Sequence, residues 1–411
     1  MYEILSPAGN MEKLKTAVYF GADACYFAGK QFGLRAFSDN FNDDELLSSV
    51  KFLHDHGKKA YITLNILAHN CDFDGLEEYL RHLDNIGVDA VIVSDFGIMQ
   101  FVKKVCPKMP IHVSTQANIT NKYSAKAYCD MGATRLILAR ELSIDEIKEI
   151  RAYIPKYVEI ECFVHGAMCI SYSGRCLLSN YLTGRDSNRG ACVQACRWEY
   201  TICEKARFDE AKSNGKEPSM YEIQEDNHGT YILNSKDMCM IEHLQELIDA
   251  GVTSFKIEGR MKSPYYVATI TNAYRRALDL IEKGESVPNS LVEECVKTSH
   301  RHYTTGFYYG SNDKECLSSS TPFQTHEFIA IVVEDTKDGY AKIEMRNRFE
   351  VGDTLEILSP NDTFDKQIIV SKILDENGNQ ITVANKVQQI LSIATIYDLK
   401  TGDILRKKIT K

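Results

Sequence analysis

Residues 161–200 read ECFVHGAMCISYSGRCLLSNYLTGRDSNRGACVQACRWEY and hold five cysteines and the chain's single tryptophan. Cys169 and Cys176 form one pair and Cys192 and Cys196 a second, with Cys239 farther along in NSKDMCMIEHL. Thiolates are ligands for soft metals, and four of them complete either a zinc tetrahedron or the corners of an iron–sulfur cluster. Glycines in YSGRC and NRGAC let the backbone wrap closely around a ligand. Arg175, Arg189 and Arg197 lie near the thiols in sequence, where positive charge favours the thiolate. Neither spacing is the tight C-x₂-C of zinc ribbons. Glu199 stands where the C-x₃-C-x₂-C run of S-adenosylmethionine radical enzymes needs its last cysteine. An iron–sulfur cluster is the preferred reading. Zinc, or a set of small buried hydrophobes, stays open. Cys25, Cys106, Cys129 and Cys162 lie in or near strand- or helix-like segments and read as core.

The chain of 411 residues, 44% hydrophobic, is large enough for one big domain and a smaller one. Its net charge of −9 argues against loose, whole-surface binding to nucleic acid but not against a local basic patch. The start, MYEILSPAGN, has no basic run followed by an apolar core, and no apolar stretch approaches the roughly 20 residues that cross a bilayer. A cytoplasmic protein is expected, without a membrane span. There, thirteen cysteines read as free thiols and metal ligands instead of disulfides.

The elements that must position the thiols follow a repeated pattern. FGADACYFAG, IGVDAVIVSD, MGATRLILAR and AGVTSFKIEG each place a glycine after a helical stretch and before an apolar run. Gly21, Gly87, Gly132 and Gly251 suit helix C-caps, where a left-handed backbone is needed. Near-continuous apolar runs are the mark of strands buried on both faces of a parallel sheet. Eight such strands are predicted: EILSPAG, ACYFAG, KAYITLNI, AVIVSD, IHVSTQ, RLILAR, EIECFVHG and SFKIEG. A capping box at Ser143 and Glu146 and a Ser263–Pro264 start mark two of the intervening helices. Eight units are the number that closes an α/β (β/α)₈ TIM-like barrel, expected over residues 1–315; an open doubly wound sheet is the alternative. The connection between the seventh and eighth strands, about 166–250, is an insertion that opens at the catalytic face of such barrels. CLSSSTPFQTHE suggests a linker over 316–325. Short strand-like runs beyond it predict a small C-terminal β-barrel at 326–411. Its basic tail LRKKITK is read as a solvated end.

EIECFVHGAMCISYSGRCLLS resembles the signature of the collagenase-like peptidase family U32. ILSPAG, GRCLLSNYLTGRDSNRGACVQACRWEY, NSKDM and KIEGRMKSPYYV extend the likeness across the barrel. The chain looks most like the branch of prephenate-dependent tRNA uridine 5-hydroxylases, which act on the wobble uridine. Other members hydroxylate ribosomal RNA or ubiquinone precursors. The resemblance implies tRNA as substrate, prephenate as co-substrate and a 4Fe-4S cluster on Cys169, Cys176 and Cys192. The fourth ligand varies among relatives between positions matching Cys196 and Cys239; Cys239 is preferred here. A second protein could complete the site.

Hydroxylating a base requires a cavity, a redox or Lewis-acid centre, and polar groups that hold substrate. The strand ends offer His165, Glu141 and Glu258 as catalytic candidates, and Arg140, Arg260, Asn65, Gln116 and Asn118, with Asp95, for substrate. Prephenate carries two carboxylates, and the planar guanidinium fork fits a carboxylate bidentately. Arg140 and Arg260 are therefore the expected anchors, unless ion pairs with Glu141 and Glu258 engage them. Arg35, Arg185 and Lys262 could meet RNA phosphates. For proteolysis there is no H-E-x-x-H and no G-x-S-x-G. A Cys169–His165 dyad is the remaining peptidase reading, although a histidine so placed also suits plain hydrogen bonding at a strand end. A non-catalytic RNA-binding protein with a structural cluster is the third.

Overall fold

The computed structural model describes residues 2–30, 32, 40–198, 236–310 and 322–409. All eight predicted strands form: β1 (Glu3–Pro7), β2 (Ala24–Phe27), β3 (Lys59–Leu64), β4 (Ala90–Val93), β5 (Ile111–Val113), β6 (Arg135–Ile137), β7 (Glu159–Ala167) and, after the insertion, β9 (Ser254–Ile257). Each pairs in parallel with the next, β7 pairs with β9, and β9 pairs with β1. That last ladder closes the barrel and excludes the open sheet. Two short strands extend the closed sheet beside β7, one within TYILNSKDMC, which reads as a strand in the sequence, and one the sequence pattern did not reveal. β8 (Asp237–Cys239) runs antiparallel to β7, and β10 (Tyr303–Thr304) runs parallel to β8.

Local sequence explains the helices. The four C-cap glycines all take positive φ, between 82° and 99°. Ser143 and Glu146 form the reciprocal capping box, with Ser143 N–H donating to Glu146 Oε2 at 2.8 Å. Asp95, proposed above as a substrate ligand, instead caps a helix by accepting from Ile98 N–H at 3.0 Å. No helix among the described residues is long and apolar enough to cross a membrane.

The N-terminal ends of the strands enclose a layer of paired charge. Arg135 is 2% exposed and bonds Glu161, Glu159 and Glu3. Lys256 Nζ donates to the other Glu161 oxygen at 2.8 Å. Ser254 and Tyr61 hydroxyls donate to Glu3, each at 2.8 Å.

The C-terminal unit is an eight-stranded antiparallel half-barrel. It packs on the last barrel helix, Pro264–Glu282, through Phe20, Tyr265, Ala268, Leu358 and Ile404. The basic tail is not a solvated end. Ile404–Lys408 is a central strand, paired with both His326–Lys337 and Thr354–Leu358. Arg406 within it is fully buried and ion-paired to Glu294 of the barrel and Glu356 of the half-barrel. A guanidinium can occupy such a position only because two carboxylates from distant segments meet it. Of the expected linker, 316–321 lie outside the described residues; Phe323 N–H donates to His300 O at 2.9 Å, tying the next stretch to the barrel.

Candidate thiol-lined active site

At the C-terminal mouth of the barrel lies a cavity of about 400 Å³. Its walls carry Cys169, Cys176, Cys192 and Cys196, together with Arg140, Glu141, Gln116 and Glu258. The insertion reaches the mouth because specific contacts pin it there. Gly174, at φ 74°, lies so close to Gln116 that a Cβ would stand 2.0 Å from its carbonyl oxygen. Only glycine allows that approach. Ser173 N–H donates to Glu141 Oε1 at 2.8 Å, and its hydroxyl donates to the same carboxylate. On the other flank, Arg189 grips Asp72 with two nitrogens, at 2.6 and 2.9 Å, and donates to Leu67 O.

Arg189 is therefore a structural clamp, not a neighbour that activates thiols, as its sequence position suggested. Other groups set the thiol chemistry. Burial pushes the Cys176 thiol up, but hydrogen bonds from Ser171, Ser187 and the backbone N–H groups of Leu178 and Ser179 outweigh it, so its pKa falls below the ordinary value. Cys169 is pushed up by burial, partly offset by a backbone hydrogen bond at Ser171 and by the Arg140 charge. Gln194 N–H, on a left-handed turn at φ 57°, donates to Cys192 Sγ at 3.4 Å. Four thiols lining one cavity, three of them supplied with backbone N–H donors, suit a soft metal or an iron–sulfur cluster. By contrast, Cys25 and Cys162 are buried in the core, their thiols pushed up to about 12. Arg35 and the Arg197 side chain lie outside what is described.

Arg140 lies against the ring of Phe163, its guanidinium carbon 4.3 Å from the centroid, and donates through Nη1 to Ala167 O at 2.7 Å. Its Nε has no protein partner. Glu141 is engaged by Ser173, so the Arg140–Glu141 ion pair considered above does not form. Glu258 accepts from Tyr26 Oη at 3.4 Å.

The remaining predicted residues do not line the cavity. Arg260 is 5% exposed and donates to Asn40 at 2.8 Å and to Thr63 at 3.5 Å, within the barrel. Asn65 is half-buried just past β3, and Asn118 holds a left-handed turn at φ 56°. His165 is buried with its two ring nitrogens 3.3 Å from Tyr274 Oη and Tyr303 Oη. A Cys169–His165 dyad is therefore not present, and the imidazole is hydrogen-bonded at the end of its strand.

Cys239 is paired with His165 across β7 and β8, and its thiol faces His165 and Cys295. The ligand atoms of those three lie within 4.8 Å of one another. A hydrogen bond from the Cys295 thiol is the main reason that the Cys239 thiol is held well below its ordinary pKa; burial opposes it and His165 adds to it. Nothing in the sequence near Cys295 signals this meeting, because it is made by strand register and a distant helix end.

The sequence matches the model of Peptidase family U32 over residues 9–318 and that of the Peptidase family U32 C-terminal domain over 324–406. It is similar to the Bacillus subtilis tRNA hydroxylation protein P1, 36% identical over 414 residues, 98% of this chain and 94% of that one. The Escherichia coli tRNA hydroxylation protein P is 38% identical over 391 residues, 87% of this chain and 86% of its own. A Porphyromonas gingivalis protein named collagenase is 30% identical over 408 residues, 95% and 94% of the two chains. With a family match across nearly the whole barrel, the chain belongs to peptidase family U32.

Proposed function

We propose that this protein hydroxylates the wobble uridine of tRNA at C5, in a prephenate-dependent reaction that uses an iron–sulfur centre in the cytoplasm. The observation that carries the reading is that four thiols and Arg140 line one cavity, at the barrel end where such folds do chemistry. Relatives named for tRNA hydroxylation, matched along most of their length, supply the substrate class. Cys169, Cys176 and Cys192 would hold the centre. Cys196 lines the same cavity and Cys239 does not, which favours Cys196 as the fourth ligand. When bound, an iron–sulfur centre supplies one-electron chemistry next to the base.

This chain's own residues do the rest. Arg140 lines the cavity with its guanidinium held on Phe163 and on Ala167 O, so a substrate carboxylate reaching it from the cavity gains a charge-assisted hydrogen bond at small ordering cost. Glu141 is held by Ser173 and keeps the insertion loop over the cavity. A uridine must leave the anticodon stack to enter, as base-modifying enzymes require.

The test is nucleoside analysis of tRNA from cells lacking the protein and any paralogue. Nucleosides derived from 5-hydroxyuridine should disappear and return with the wild-type gene; their persistence would overturn the assignment. Protein purified without air should be brown. Iron bound by Cys196→Ser against Cys239→Ser identifies the fourth ligand, the Cys196 variant being expected to lose more. Gelatin cleavage that survives Cys176→Ser would favour the peptidase reading instead.

A further inference from the structure

Two large apolar side chains stand exposed on the rim of the cavity. Tyr172 is 60% exposed and Met261 55% exposed, and both belong to its lining. They come from separate sides of the mouth. Ser173 is tied to Glu141 just past β6, and Gly174 presses on Gln116 just past β5, which holds Tyr172 over that side. Met261 follows β9. Arg185 and Lys262 line the same cavity; with Arg140 they set three cations against the two lining carboxylates, Glu141 and Glu258. This local balance is opposite in sign to the −9 of the whole chain.

Exposed apolar groups flanked by cations at a cavity mouth mark a contact surface. Flat base faces stack on aromatic side chains in a way that tolerates any sequence, and phosphates follow a groove of positive charge. Enzymes that draw one base from a strand also contact the nucleotides on either side of it. We propose that Tyr172 stacks on one of the bases flanking the one that enters the cavity and Met261 packs against the other, with a single-stranded RNA loop as the occupant and Arg185 and Lys262 on the adjoining phosphates. The inference rests on RNA being the substrate and adds the residues that grip it.

The test uses the full-length protein and an anticodon-arm hairpin with 2-aminopurine beside the wobble position and cytidine at it, so that no uridine hydroxylation is needed. Tyr172→Ala and Met261→Ala should each weaken binding by about tenfold and alter the 2-aminopurine emission seen on binding. Tyr172→Phe should bind as wild type does. Neither apolar substitution should change how affinity depends on salt, whereas Arg185→Ala and Lys262→Ala should each lower that salt slope by about one. Far-UV circular dichroism and melting checks that the variants are folded. Wild-type affinity and emission in folded Tyr172→Ala and Met261→Ala would overturn the proposal. So would Tyr172-dependent binding of a collagen-derived peptide by a protein that ignores the hairpin. Because binding is read without hydroxylation, unchanged tRNA nucleosides in the deletion strain would sink the enzymatic reading alone, while equal binding by the variants would sink this one alone.

Discussion

The two ends of the barrel treat polar groups in opposite ways. At the floor, the guanidinium of Arg135 is enclosed by Glu3, Glu159 and Glu161, and Lys256, Ser254 and Tyr61 complete the network. At the mouth, four thiols and Arg140 line one open cavity, and Tyr172 and Met261 stay exposed. Buried charge is tolerable only when compensated, so the floor is built for stability and a single arrangement. Uncompensated groups around a cavity are costly to a fold, and they persist where a ligand completes them. The difference separates residues that hold the barrel from residues that use it.

The largest effect should come at the mouth. Cys176→Ser is expected to abolish the hydroxylated nucleoside in complementation and the visible absorbance of anaerobically purified protein. Compared with wild-type protein stripped of metal, its unfolding free energy should fall by under about 1 kcal/mol, since an exchange of similar volume at a half-buried position leaves no cavity. Urea denaturation measures that directly. A large loss of stability in this variant would blur the division between the two ends.

Arg135→Met should do the reverse. It strands buried carboxylates and should cost about 3–5 kcal/mol of stability, read from denaturant midpoints, while the fraction that folds keeps its colour. Arg140→Ala, back at the mouth, should raise the half-saturating prephenate concentration by about 10- to 100-fold, or about 1.4–2.8 kcal/mol, with unfolding barely moved. Arg140→Lys should recover only part, because a point charge does not replace a planar fork.

The smallest effect on the chemistry of the mouth concerns the sheet extension beside it. Burial pushes the Asp237 carboxyl up, and the charge and hydrogen bonds of Arg301 outweigh it, so its folded pKa lies below the usual range. Its stabilisation is complete above its unfolded pKa of about 4 and is lost as pH falls through the lower folded value. Asp237→Asn should therefore lower stability at neutral pH and flatten the acid limb of a stability-against-pH curve. An unchanged acid limb would show that the pair contributes nothing measurable.

Much of this architecture was legible in local sequence. Parallel strands covered on both faces must be apolar almost throughout, and each helix needs a cap, so EILSP, AVIV and SFKI stand out ahead of the caps Asn10, Asp95 and Ser263. The clustering of Cys169, Cys176, Cys192 and Cys196 was legible for the same reason: all four belong to one short segment. What failed were features made by distant partners. LRKKITK looks solvated until Glu294 and Glu356 are brought to Arg406. Arg260 looks like a substrate anchor until Thr63 and Asn40 enclose it. Arg189 looks like a thiol activator until Asp72 meets it.

The amino-acid order alone determined the count of barrel strands, their caps and the thiol-bearing insertion, because periodicity and turn chemistry act between residues a few positions apart. Tertiary structure decided which charges are compensated, which thiol faces which partner, and which side chains reach the cavity. Those outcomes depend on the electrostatic surroundings assembled only when β1 closes on β9 and the insertion folds back over β5 and β6. A charged or nucleophilic group has no fixed role until its neighbours in space are set.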